Sequence, residues 1–215
     1  MTHVASLSSL SVAEFTGSLA SDAPAPGGGS ASAAAGAFGA ALLAMVVGLT
    51  LGKEKYRASW ADLELLPDRL REARRRLLEL VDEDTKAYDG VVAARRLPKE
   101  TDTDKAARQR AIDAANVLAT TVPMQTAFFA FEGLRTATLV FEKGNPNAAS
   151  DAWVAALLLH GAVLGALANV RINLPGVSDP ELSRGFLEDA VDLGKKAAEA
   201  FEKTRALART RGLAA

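Results

Sequence analysis

Apolar residues recur at intervals of three and four along most of the chain, and no segment shows the strict alternation of a half-buried strand. Proline and glycine interrupt this pattern, so each uninterrupted segment is predicted to be one helix. The predicted helices cover residues 10–20, 31–52, 61–97, 101–121, 124–143, 148–174 and 180–211. Short connections favour antiparallel neighbours. The pattern therefore predicts an all-α fold, with residues 1–215 forming a single domain, an up-and-down bundle of about seven helices.

The second predicted helix belongs to a run without a charged residue, from Gly27 to Gly52. Small residues recur at every fourth position, which lets another helix approach closely; they are Ser32, Gly36, Ala40, Ala44 and Gly48. Its length also raises the possibility of a transmembrane helix. The first half is only weakly apolar, so we interpret the segment as a buried central helix of the bundle or of a dimer, and we predict no membrane association.

Composition and charge exclude several classes of function. The chain has no cysteine and only two histidines, His3 and His160, so neither a thiolate site nor a histidine-rich metal site is expected. The 25 lysines and arginines nearly balance the 26 aspartates and glutamates, for a net charge of −1, which is not typical of a nucleic-acid-binding protein. No secretory signal is recognisable at the start of the sequence. We therefore expect a cytoplasmic protein that binds neither a metal nor nucleic acid.

One carboxylate interrupts the apolar stripe of the third predicted helix. Asp84 occupies a stripe position, whereas Asp82, Glu83 and Asp89 fall outside the stripe. The other stripe residues are Leu70, Ala73, Leu77, Leu80, Val81, Tyr88 and Val91. A carboxyl group that faces a bundle interior tends to have a raised pKa, which suits proton transfer near neutral pH. The alternative is a structural carboxylate that pairs with an arginine or caps another helix.

Polar residues also interrupt the apolar sixth helix and its start. Asn169 and Asn173 are four residues apart and share a face, where they could bind a ligand or hydrogen-bond another helix. Asp151 lies in the first turn of this helix, where a carboxylate also complements the helix dipole. Asn145 belongs to the Gly-Asn-Pro turn that precedes the helix. His160, among leucines, is interpreted as a packed core or interface histidine.

The glycine-rich segment before the second helix is predicted to approach a ligand. Neither a Walker loop nor a Rossmann fingerprint fits it, because no G-K-[ST] follows and no strand precedes it. Its residues Pro26, Gly27, Gly28, Gly29 and Ser30 lead into a helix N-terminus, with Ser30 as the predicted N-cap. Lys53 and Lys55 lie at the other end of this helix, where they either complement the helix dipole or bind an anionic tail.

Four groups of residues, in this order along the chain, resemble the cyclodeaminase and cyclohydrolase family of folate one-carbon enzymes. They are "PAPGGGSASAAAGAFGAAL", then "LVDEDTKAYDGVVAARRLPK" with "AARQRAIDAA", then "TVP", and finally "GNPNAASDAWVAA" with "NVRINL". The resemblance covers nearly the whole chain and is to the stand-alone cyclodeaminase type. It implies an all-helical homodimer that binds a tetrahydrofolate derivative, including polyglutamylated forms, with no other cofactor.

The resemblance also implies roles for individual residues. Asp84 matches the family aspartate that is assigned to catalysis, and Lys53, followed by Lys55, is our choice for the folate carboxylates. The remaining substrate-binding candidates are Pro26, Gly27, Gly28, Gly29, Ser30, Asn145, Asp151, Asn169 and Asn173. The expected reaction is formimidoyltetrahydrofolate cyclodeamination, with methenyltetrahydrofolate cyclohydrolysis as the alternative. A non-catalytic folate-binding bundle is the alternative from another class.

Overall fold

The computed structural model of the protein describes residues 6–215, which form a bundle of α-helices without a β-strand in that range. His3 lies outside the described residues. The helices are α1 (Val12–Leu19), α2 (Gly28–Gly48), α3 (Trp60–Leu63), α4 (Leu66–Arg95), α5 (Asp102–Lys143), α6 (Ala149–Asn173) and α7 (Pro180–Thr210). Short 3₁₀ turns at Leu7–Ser9, Glu54–Ser59, Pro146–Ala148 and Leu174–Gly176 complete the order. The predicted all-α bundle is confirmed.

Helices α2 and α6 run antiparallel through the centre of the bundle, and α2 packs most extensively on α6 and then on α4. Small residues permit this approach: an added Cβ at Gly39 would lie 2.6 Å from Leu159 Cγ and 3.0 Å from the Ala155 carbonyl oxygen. By length and composition, both α2 and the segment Pro146–Gly176 could cross a membrane. About half of each apolar window is buried within the bundle, as in the core helices of many soluble proteins.

The sequence predicted two helices separated at Pro123, and the structure corrects this prediction, because a single helix, α5, covers both. It is one 42-residue helix that continues through Pro123, which is buried. Proline has no N–H, so the carbonyl of Ala119, four residues earlier, loses its helical partner. The side chain of Asn173 on α6 supplies a substitute, because its Nδ2 donates to the Ala119 oxygen at 2.6 Å. The proline therefore leaves a helical carbonyl open to a second helix.

The predicted start of the second helix is also corrected. Its N-cap is Gly27 and not Ser30, which lies three residues inside the helix. Ser30 was predicted as the cap because serine suits that position. The capping oxygen comes instead from another helix, since Asp84 of α4 accepts the Ser30 backbone N–H at 2.8 Å. The helix can therefore begin within the glycines, without a side-chain cap of its own.

The segment before α1 is attached to α4 by a second carboxylate, Asp82. Its Oδ1 accepts the Leu7 backbone N–H at 2.6 Å, and its Oδ2 accepts the hydroxyls of Ser6 and Ser8. Burial acts to raise the pKa of Asp82, but these hydrogen bonds outweigh it and hold the pKa below its usual range. Leu7 and Phe15 pack on a small apolar cluster next to the α4 face that carries Asp84.

Candidate active site

A cleft of about 550 Å³ lies where the N-terminus of α2 meets α4, α5 and the C-terminal end of α6. Six of the predicted site residues line it: Gly27, Gly28, Gly29, Asp84, Asn169 and Asn173. The lining also includes Tyr88, Val91 and Arg95 from α4, Asn116 and Ala119 from α5, and Ile172, Pro175 and Gly176 from the end of α6 and the turn after it. Pro26 is half-buried beside this lining, and Ser30 lies beneath it.

Asp84 binds the start of α2 through one oxygen only. Its Oδ2 accepts the Ser30 backbone N–H at 2.8 Å and the Ser30 hydroxyl at 3.0 Å. No hydrogen bond from residues 6–215 reaches Oδ1, which leaves this oxygen for a ligand in the cleft. Burial raises the pKa of the Asp84 carboxyl, and the two hydrogen bonds from Ser30 oppose that rise only in part. The carboxyl is therefore a helix cap and, at the same time, a group that can exchange a proton.

Gly29 is the reason that the carboxylate can come this close to α2. A Cβ added at Gly29 would lie 2.0 Å from Asp84 Oδ1, 2.5 Å from Cγ and 2.7 Å from Oδ2. The other two glycines are less constrained: a Cβ at Gly28 would meet Asn169 Nδ2 at 3.4 Å, and one at Gly27 would meet nothing within 4 Å. The three glycines therefore differ in role, and only Gly29 is required by contact with Asp84.

Three half-buried asparagines present amides to the cleft, and each is held by one hydrogen bond to a backbone carbonyl. Asn169 donates to Gly165 at 2.8 Å and Asn173 to Ala119 at 2.6 Å. Asn116 donates to the carbonyl of Gly176 at 2.7 Å. Each side chain keeps its Oδ1 and one N–H, so the three together can match the donors and acceptors of a heterocycle edge.

Asn116 and Arg95 were not predicted from the sequence. Arg95 could have been predicted to line the same site, because it follows Val91 by four residues. It therefore shares the helix face of Asp84, Tyr88 and Val91. Asn116 had a weaker signal, since a lone asparagine among alanines does not reveal which helix it faces. It reaches the cleft because α4 and α5 are antiparallel, with Arg108 of α5 donating to the Arg95 carbonyl.

The remaining predicted residues lie near the opposite end of α2, which is about 30 Å long. Lys53 and Lys55 are exposed, and Lys55 Nζ lies 4.7 Å from the ring centroid of Tyr56. Asn145 is buried and structural: it accepts the Tyr56 hydroxyl at 2.6 Å and donates its backbone N–H to Thr50. Asp151 lies in the first turn of α6. Within a single chain, none of these four can contact a ligand beside Asp84.

His160 packs as the sequence interpretation expected. Its ring stacks on Phe201 with centroids 4.1 Å apart, and burial lowers its pKa despite the opposing charge of Glu202. Among residues 6–215, no group of three or more histidines, aspartates or glutamates is arranged to hold a metal ion. The chemistry that these side chains offer is proton exchange at Asp84 beside an amide-lined cleft.

Known proteins resemble this chain in sequence and in fold. Residues 11–192 match the family model for formiminotransferase-cyclodeaminase. The chain belongs to this family. It is 43% identical over 175 residues to methenyltetrahydrofolate cyclohydrolase of Methylorubrum extorquens, covering 81% of this chain and 82% of that protein. It is 36% identical to formimidoyltransferase-cyclodeaminase of Sus scrofa, covering 77% of this chain but 30% of the pig protein.

The fold of a solved family member agrees with this assignment. A crystal structure of formiminotetrahydrofolate cyclodeaminase from Thermotoga maritima superposes with a TM-score of 0.84 and 27% sequence identity, covering 95% of this chain and 98% of that chain. The formiminotransferase-cyclodeaminase family therefore accounts for nearly the whole bundle. Relatives named as hydrolases and as deaminases share it, and both names refer to folate one-carbon chemistry.

Proposed function

We propose that the protein is a methenyltetrahydrofolate cyclohydrolase that uses Asp84 as its acid–base group. The observation that carries this proposal is the half-buried Asp84 carboxyl, which has one oxygen held by α2, one oxygen free in the cleft, and a raised pKa. The 43% identity to a hydrolase over most of both chains favours hydrolysis over the deamination expected from the sequence.

The proposed reaction opens the five-membered ring of 5,10-methenyltetrahydrofolate. A water molecule attacks the cationic methenyl carbon while the Asp84 carboxylate accepts one of its protons. The carboxyl then returns this proton to N5 as the bond between carbon and N5 breaks. The remaining hydroxyl proton leaves to solvent, and 10-formyltetrahydrofolate results. The carboxylate also stabilises the cationic substrate before attack, since the two charges are opposite.

Formimidoyltetrahydrofolate cyclodeamination is the second candidate, and the Thermotoga maritima and pig relatives favour it. N10 of 5-formiminotetrahydrofolate would attack the carbon of the protonated formimino group and pass its own proton to Asp84. The same carboxyl would then protonate the departing nitrogen, which leaves as ammonia. Both reactions pass through a tetrahedral carbon between N5 and N10, so one carboxyl at one position can serve either.

The experiment follows the absorbance of the methenyl group in two assays, one starting from 5,10-methenyltetrahydrofolate and the other from 5-formiminotetrahydrofolate. Loss of absorbance in the first assay supports the hydrolase, and its appearance in the second with release of ammonia supports the deaminase. Asp84→Asn should reduce turnover about 10²–10⁴-fold while the protein stays folded and binds folate. Asp89→Asn on the exposed side of α4 is the control. Folate binding without turnover in either assay would instead support the non-catalytic bundle.

A homodimer is part of the proposal. Helices α2 and α6, although central, expose large apolar side chains: Phe38, Met45, Val154, Leu157 and Leu164. Burial of such residues against a second copy would stabilise a dimer by the hydrophobic effect. Light scattering after gel filtration should give twice the chain mass of 22.4 kDa, and Phe38→Asp should shift the mass toward the monomer. A monomeric native protein would contradict this part.

A cytoplasmic location stays a prediction.

A further inference from the structure

We infer that helix α4 holds the folate lengthwise, with Arg95 binding the carboxylate of its glutamate. This inference rests on the proposed function and deepens it. Lys53, predicted from the sequence to bind the folate carboxylates, lies about 30 Å away along α2. An anionic tail in the same cleft as Asp84 therefore needs another cation, and Arg95 is the one lysine or arginine among the described residues, 6–215, that line the cleft.

Arg95 shares a face of α4 with Asp84. The two residues are eleven apart, which is close to three full turns, so their side chains project in the same direction. The separation along the axis is about 16 Å at 1.5 Å per residue. Tyr88 and Val91 lie between them on the same face and also line the cleft. The α4 face thus presents a carboxylate, an aromatic ring, an aliphatic side chain and a guanidinium in sequence.

This order matches the chemical order of a folate. The pterin and the one-carbon unit are followed by an apolar benzoyl ring, and the ring is followed by the glutamate with its carboxylates. With the one-carbon unit at Asp84, the benzoyl ring would pass Tyr88 and Val91, and the glutamate would extend toward Arg95. The asparagines Asn169 and Asn173 lie at the Asp84 end of the cleft, where the pterin has its hydrogen-bonding edge.

The guanidinium of Arg95 is available for this role. No carboxylate within residues 6–215 lies within ion-pair distance of it, whereas three of the other five arginines of α4, Arg71, Arg75 and Arg76, have such partners. The main chain at Arg95 is fixed as well, because Arg108 donates two hydrogen bonds to its carbonyl oxygen. A guanidinium can bind a carboxylate through two parallel hydrogen bonds, which is the geometry that an anchor requires.

The test compares substrates with and without the glutamate. Arg95→Gln should raise KM for the tetrahydrofolate substrate about tenfold, equivalent to ~1.4 kcal/mol, with kcat within about twofold. On the matching tetrahydropteroate, which lacks the glutamate, the same variant should behave as wild type. Arg96→Gln removes an equal charge from a neighbouring exposed residue outside the cleft and should change neither substrate. Arg95→Lys should restore part of the affinity.

A binding experiment separates this inference from the proposed function. Calorimetry would measure the affinity of the protein for 5-formyltetrahydrofolate and for 5-formyltetrahydropteroate, which lacks the glutamate. If wild type binds the first more tightly and Arg95→Gln removes the difference, the inference holds even if neither reaction is catalysed. Equal effects of Arg95→Gln on both ligands, or no effect on the glutamate-bearing one, would overturn the inference and leave the proposed function intact. A wild-type protein that binds neither ligand would overturn both.

Discussion

A scan of the three glycines tests whether contact between Gly29 and Asp84 controls activity. In Gly29→Ala the new Cβ would lie 2.0 Å from Asp84 Oδ1. Non-bonded heavy atoms pack at about 3.5–4.0 Å, so the carboxylate would have to retreat by about 1.5 Å. Such a movement breaks the hydrogen bonds from Ser30 and removes the free oxygen from its position. A misplacement of about 1 Å at a reacting group can cost about 10²-fold in rate.

We therefore expect Gly29→Ala to lower kcat/KM at least ~10²-fold in the methenyl absorbance assay. Gly27→Ala is the matched control, because its Cβ would meet nothing within 4 Å and its φ of −133° suits alanine. Gly28→Ala should show an intermediate effect that appears mainly in KM, since its Cβ would touch Asn169 at 3.4 Å. Denaturant unfolding of each variant separates loss of activity from loss of fold. Activity of Gly29→Ala within about threefold of wild type would refute the reasoning.

Three further predictions concern single side chains. Because burial raises the pKa of Asp84, the folded protein holds that proton more tightly than the unfolded chain, and the stability from this group is lost as pH rises through the raised pKa. The variant Asp84→Asn lacks this titrating group, so its free energy of unfolding minus that of wild type should increase from about pH 4 upward. A difference that stays constant with pH in denaturant titrations would contradict this. Asp82→Asn should speed hydrogen exchange in residues 6–19 about tenfold, because hydrogen bonds to a charged acceptor contribute about 1.5–3 kcal/mol; unchanged exchange would argue against the tether. Asn116→Ala should destabilise the protein by about 0.5–1.5 kcal/mol through the lost bond to Gly176, and unchanged unfolding would contradict it.

Helix type and most helix ends could be predicted from local sequence, because periodicity and breaking residues act over a few positions. The turn at Gly144 and Pro146 ends α5 at Lys143 as expected, and Asp179 caps α7. The sequence could also single out Asp84 as a carboxylate that faces the bundle interior, because it occupies a position on an apolar stripe. The N-terminus of α2 could not be located, since its capping oxygen comes from a residue 54 positions away.

The composition of the cleft depended on information that local sequence does not contain. The antiparallel packing of α4 and α5 decides that Asn116 joins the cleft. Conversely, the length of α2 keeps Lys53 away from it, although both ends of that helix carry groups suited to anions. The glycine-rich motif therefore led to several residues that the structure brings to the cleft, whereas Lys53, predicted to bind the anionic tail, lies beyond the opposite end of α2 within one chain.

Pro123 has a consequence for anyone who engineers this protein for heat resistance. A proline in a helix interior costs about 3 kcal/mol relative to alanine, so Pro123 would be an obvious target for replacement. An alanine there would offer an N–H to the Ala119 carbonyl and compete with Asn173, whose amide now occupies that acceptor and lines the cleft. Any gain in thermal tolerance would then be accompanied by a looser cleft beside Asp84.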